Sequence, residues 1–153
     1  MNRKLWLVIP VLIGGSMIIK KRYPLGIRNN NGGNIRATGK WRAWQGAIGE
    51  NKGFIVFDTP ENGLRALART LRTYKNNYGF DTIEEIISRW APPNENDTES
   101  YIKSVATSAG LSRDSFVTDA FYPVIMAAIV HHENGQQPYS NEQIQNGFIQ
   151  GFA

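Results

Sequence analysis

A mainly α domain of the α+β class, with one small β-hairpin and a transmembrane helix ahead of it, is the architecture this 153-residue sequence predicts. Three observations lead there. An uncharged run, Leu5 to Ile19, stands between two groups of cations. Two short apolar stretches, Trp41 to Ile48 and Phe54 to Phe57, flank a segment of turn-forming residues. Beyond Thr59, apolar residues recur at helical spacing between recognisable capping residues. The length suits one domain with a modest core. The chain therefore divides into a membrane anchor, 1–22, and a folded domain, 23–153.

Charge supports that division. Residues 1–22 hold five basic side chains and no acid, whereas residues 23–153 hold 12 basic and 13 acidic ones, a net of −1. The overall net charge of +4 thus belongs to the first segment. A nucleic-acid-binding domain carries its positive charge on the fold, so nucleic acid is not expected as a partner. With no cysteine, disulfides and thiolate chemistry are absent.

Leu5–Ile19 as a helix is roughly 22 Å long, against a hydrocarbon core of about 30 Å. Flanking Lys and Arg side chains extend such a span by snorkelling to the interfaces. The expected partner of residues 5–19 is accordingly a lipid membrane. Two rivals are a cleaved signal peptide, with Gly14-Gly15-Ser16 as the small-residue site, and an ordinary buried helix. Both flanks are basic, so orientation stays open.

The domain begins with Gly26-Ile27-Arg28-Asn29-Asn30-Asn31-Gly32-Gly33-Asn34-Ile35, read as a tight non-helical loop because Asn and Gly tolerate positive φ. Trp41–Ile48 and Phe54–Phe57 form the hairpin through Gly49–Gly53. Thr59 caps a helix with Pro60 at its first position, and Gly79 stops it. Thr82-x-x-Glu85 is a capping box, and Pro92-Pro93 ends that helix. Asp97 or Thr98 opens another that Gly110 closes. A fourth runs from about Phe121 to His132, and Ser140-x-x-Gln143 caps the last.

Carboxylates are the remaining candidates for chemistry. His131 and His132 are adjacent, hence about 100° apart on a helix, and cannot share a metal as an i,i+4 pair does. No metal or other cofactor is expected. Glu133 follows the apolar run Val124–Val130 at a helix end, with Asn134-Gly135 just beyond. An acid so placed beside a cleft suits general-acid chemistry, because desolvation and the negative helix terminus disfavour an anion there. On position alone a solvated C-terminal glutamate is the better account. Glu95 lies in a loop, where it could simply assist the next helix N-terminus.

Several of these stretches together resemble phage and prophage proteins, either virion structural proteins or lysozyme-like hydrolases. They are Gly26–Ile35, Trp44-Gln-Gly46, Phe54-x-x-Phe57, Gly63-Leu-Arg-Ala-Leu67, Arg89-Trp-Ala-Pro-Pro93, Glu95-Asn-Asp-Thr98, Tyr101 and His132-Glu-Asn-Gly135. The match spans roughly residues 25–150. Where that family has proline in its Asn-Asn-Pro-Gly-Asn motif, this chain has Gly32. Asn29 to Tyr74 is also distantly similar to glucosaminidases of the autolysin type. Their catalytic glutamate ends a helix that precedes the Asn loop.

The segment preceding the loop here has no acid. The resemblance therefore implies a circularly permuted lysozyme-like domain whose catalytic helix closes at Glu133. It implies a peptidoglycan glycan-strand hydrolase or lytic transglycosylase acting in cell-wall penetration or lysis. Glu133 would be the catalytic acid. Arg28, Asn30, Asn31, Asn34, Glu95, Thr98 and Tyr101 would bind the glycan. The domain would face the cell wall from a virion or inner membrane, in company with other virion proteins. The rivals are a non-catalytic membrane-associated virion structural protein and a peptidoglycan-binding module without turnover. An intact polar cleft around Glu133, close to Asn30–Asn34, favours the enzyme.

Overall fold

The computed structural model describes residues 9–13, 16–20, 22–94 and 97–153. It corrects the transmembrane helix. Among the described residues no helix is long and apolar enough to cross a membrane. Where the Leu5–Ile19 run is described, it forms strands β1 (Ile9–Ile13) and β2 (Ser16–Lys20), paired antiparallel with Ile9 opposite Lys20 and Ile13 opposite Ser16. The rest of the run lies outside the described residues. The composition explains the difference. Ile9, Val11, Ile13, Ile18 and Ile19 are β-branched, Pro10 would interrupt a helical ladder, and Gly14-Gly15 is hairpin-loop chemistry. In a two-stranded ribbon every strand is an edge, so Pro10 is tolerated.

The folded domain is α+β, as its periodicity predicts. A short helix α1 (Leu25–Arg28) opens it, in a stretch expected to be non-helical. Strands β3 (Ala47–Asn51) and β4 (Phe54–Phe57) form the hairpin. Trp41–Ala43 is a 3-10 turn and not part of the first strand. Five longer helices follow: α2 (Pro60–Tyr78), α3 (Ile83–Trp90), α4 (Thr98–Ala109), α5 (Tyr122–Asn134) and α6 (Asn141–Phe152).

The boundaries follow from capping. Thr59 accepts from the Asn62 backbone N–H, and Thr82–Glu85 and Ser140–Gln143 form complete capping boxes. Helices α2, α4 and α5 end on glycines at positive φ: Gly79, Gly110 and Gly135. The helical core gathers Leu64, Leu67 and Leu71 of α2, Ile83, Ile86 and Ile87 of α3, Tyr101 and Val105 of α4, and Ile125 and Ile129 of α5. A smaller cluster of Ile55, Phe57 and Ala66 seats the hairpin on α2.

The loop after α1 lies against the N-terminal turns of α2. A Cβ added to Gly63 would stand 1.7 Å from the Asn30 carbonyl oxygen. No bonded geometry tolerates that approach, so helix and loop must separate. Alanine ordinarily stabilises a helix interior relative to glycine. Here Gly63→Ala is expected to lower stability by about 1–3 kcal/mol, the range of overpacking. Chemical denaturation of the two proteins checks the sign.

Candidate functional site

The Asn loop is built from its own amides. Asn31, fully buried, donates to the carbonyls of Ile35 and Ile55, both at 2.9 Å, and its Oδ1 accepts from the Ile35 N–H at 2.8 Å. Asn30 donates to the Phe57 carbonyl at 3.0 Å, and the Asn29 carbonyl accepts from the Phe57 N–H at 2.9 Å. The loop is thereby stitched to β4 like an added strand. Asn30 and Asn34 sit at φ of 52° and 51°, a conformation asparagine adopts more readily than other side-chain-bearing residues.

One amide is aimed elsewhere. Asn34 donates to Glu133 Oε2 at 3.0 Å, across 99 residues of sequence. Its neighbour on α5, buried Asn134, donates to the Gly32 carbonyl at 2.7 Å and to the Val130 carbonyl at 2.9 Å. Helix α5 runs two residues further than the apolar pattern marks, so Glu133 and Asn134 occupy its last turn. Both face the loop.

Glu133 is half-buried and takes two further donors at its other oxygen. Tyr101 OH donates to Oε1 at 3.0 Å, and Trp90 Nε1–H at 3.3 Å. Each donor comes from a different element. Trp90 is the last residue of α3, and its ring packs against Gly33 and edge-on to Tyr74. Tyr101 stands one turn into α4 with 1% of its surface exposed. Burial, with the charge and hydrogen bond of Glu133 adding to it, pushes the Tyr101 phenol well above its ordinary value. Tyr101 therefore stays a neutral donor.

His132 stacks on Tyr101, with ring centroids 3.6 Å apart and planes within 10°. The Asp97 carboxyl sits below its ordinary range, chiefly through the Ser100 backbone N–H and hydroxyl, with a smaller contribution from His132.

The predicted site residues thus separate. Glu133, Asn34 and Tyr101 converge on one carboxylate. Asn30 and Asn31 hold the loop to β4. Thr98 is buried and donates to the Ala91 carbonyl at 2.6 Å, tying the start of α4 to the end of α3. Arg28 is exposed in the last turn of α1, and Glu95 lies outside the described residues. Sequence reasoning missed Trp90 as a donor to Glu133 and Asn134 as the anchor of Gly32. Asn134 had a visible signal, an asparagine ahead of a helix-ending glycine, but that pattern reads equally as a helix stop. Among the described residues no group of three or more His, Asp or Glu could hold a metal. Among the described residues the arrangement offers one carboxylate, fixed in orientation by three neutral donors and partly open to solvent.

Tyr101→Phe removes one donor and keeps the ring. It is expected to cost about 0.5–1.5 kcal/mol, the net worth of a typical hydrogen bond. The folded pKa of Tyr101 is raised above the ordinary 10.0. Its contribution is therefore complete below pH 10 and is lost as pH rises past that value. Thermal melts from about pH 8 to pH 11 should show a steeper alkaline decline for the parent than for the variant.

No family model matches the chain. The chain is 45% identical over 130 residues to Protein P5 of Pseudoalteromonas phage PM2, an alignment that covers 83% of this chain and 81% of that protein. At that identity and coverage, the chain belongs to the family of phage protein P5.

Proposed function

We infer that this protein is a component of the phage particle, and that its Glu133 site binds and cleaves the glycan strands of peptidoglycan. Membership of a phage protein family supports the first part. The second part rests on a single observation: Glu133 is oriented by Asn34, Trp90 and Tyr101, from three separate elements, beside a loop rich in amides. In the proposed step Glu133 gives a proton to the glycosidic oxygen as the bond from that oxygen to the anomeric carbon breaks. The resulting Glu133 carboxylate takes a proton from the incoming water or sugar hydroxyl, which restores the acid. Tyr101 and Trp90 hold the carboxyl plane throughout. With one carboxylate at the reacting bond, the positive charge on the sugar is met by the substrate's own N-acetyl or hydroxyl oxygen.

A second reading has its own observation. All three donors belong to the chain, and Asn34–Glu133 joins distant parts of it. A particle protein without turnover would use Glu133 as an internal tie. The relationship to a phage protein supports this reading better than it supports turnover.

Glu133→Gln separates the two. Asn34 Oδ1 has no hydrogen-bond partner, so a rotated Asn34 amide can accept from the new Gln N–H while the Gln oxygen keeps Trp90 and Tyr101. The fold is expected to survive. Purified cell walls should release soluble fragments with the parent protein, and at least about a hundredfold more slowly with the variant, as for loss of a general acid. Mass analysis of the fragments identifies the bond. If the parent releases nothing, the tie is the function of Glu133.

A further inference from the structure

Outside the Glu133 site the domain is electrically lopsided. Residues 23–74 carry eight basic and three acidic side chains, a net of +5, while residues 75–153 carry four basic and ten acidic ones, a net of −6. The near-neutral total conceals this. The positive half surrounds an open surface cavity of about 570 Å³ between α2 and the segment before β3. Lys40, Trp44, Gln45, Arg65, Arg69 and Thr73 line it together with Ala43, and no acid does.

The donors in this cavity are largely unused. Neither Lys40, nor Arg65, nor the Trp44 indole N–H has a hydrogen-bond or ion-pair partner among the described residues. Arg69 is already fixed, donating through Nη1 to the carbonyls of Gly151 at 3.3 Å and Ala153 at 2.9 Å. Those contacts fix the orientation of the guanidinium. Arg65 and Arg69 are one helical turn apart, where like charges repel and destabilise a helix. Glu61, one turn before Arg65, forms no ion pair with it among the described residues, and a bound anion would relieve the repulsion.

We propose that this cavity binds a phosphate group, carried by a lipid headgroup or by a small phosphorylated molecule. A phosphate presents acceptor oxygens in several directions and more than one negative charge, matching cations that enter from a loop and from two turns of a helix. A carboxylate offers one charge and two coplanar oxygens. The volume exceeds that of a bare phosphate and leaves room beside Trp44 for the attached group. The proposal is independent of the Glu133 reading and shares no residue with it.

The test titrates the full chain with glycerol 3-phosphate by calorimetry, and with vesicles of phosphatidylglycerol in phosphatidylcholine by co-sedimentation. The comparison proteins are the double variant Lys40→Gln, Arg65→Gln and, as a charge control, Arg28→Gln. Glycerol 3-phosphate should bind saturably to the parent and at least about tenfold more weakly to the double variant, with Arg28→Gln unaffected. Loss of vesicle binding in the double variant as well identifies the lipid headgroup as the source, and unchanged vesicle binding identifies the free phosphorylated molecule. Lys40→Gln alone, at an exposed position, gives the same direction should the double variant unfold. The proposal is overturned if glycerol 3-phosphate does not bind, if the double variant binds it as the parent does, if Arg28→Gln weakens it equally, or if only a DNA oligonucleotide binds.

Discussion

The bonds between the end of α5 and the loop at residues 32–34 are what the rest of the structure depends on. Asn134 to the Gly32 carbonyl and Asn34 to Glu133 join segments about a hundred residues apart. The loop is bonded in turn to β4 through Asn30, Asn31 and the Asn29 carbonyl, and it rests on α2 at Gly63. Helix α5 packs against α4, α6 and α2. Breaking the junction would leave the buried Gly32 carbonyl without its donor, at a cost of about 1–3 kcal/mol, while Asn134 keeps the Val130 carbonyl. The contacts close a loop of about a hundred residues, so the packing of the intervening helices has to offset the closure entropy.

The same junction determines what Glu133 can be. A half-buried carboxylate needs donors, and α3, α4 and the Asn loop supply neutral ones, with no cation in hydrogen-bond contact among the described residues. Three donors fix its direction through hydrogen bonds to both oxygens. Tyr101 is itself constrained on its other side by the His132 ring, so the position of its hydroxyl is set by the helices and not by a rotamer choice. This geometry suits a reactive acid and serves a structural tie just as well, which is why the decision between them rests on turnover.

What the sequence revealed, and what it did not, follows from range. Capping is local: Thr82–Glu85, Ser140–Gln143 and the stops at Gly79 and Gly110 depend on residues three or four apart, and each lies where its pattern placed it. Short apolar runs lack such signals. Leu5–Ile19 has the composition of a membrane helix and the β-branching of a hairpin, and periodicity over so few residues does not separate the two. Trp41–Ala43 and Leu25–Arg28 are single turns, too short for any period to show. The grouping of Glu133, Asn34 and Tyr101 came from the family resemblance and not from any local pattern, because their meeting point joins three elements far apart in sequence. The separate fate of Asn31 was not legible, because its partners are carbonyls, which every residue has, and one of them lies 24 residues away.

Helix α2 shows how one element serves both ends of the molecule. Its inner stripe, Gly63, Leu64, Leu67 and Leu71, is buried against the loop and the helical core. Arg65, Arg69 and Arg72 follow on another stripe at helical spacing, a run of like charges that an isolated helix would disfavour. Two of them have a structural reason to be there. Arg69 and Arg72 each donate to the Ala153 carbonyl at 2.9 Å, meeting the unsatisfied carbonyls at the end of α6 with positive charge. Arg65 makes no hydrogen bond or ion pair among the described residues; it stands between Glu61 and Arg69 on the helix and lines the cavity proposed to take a phosphate.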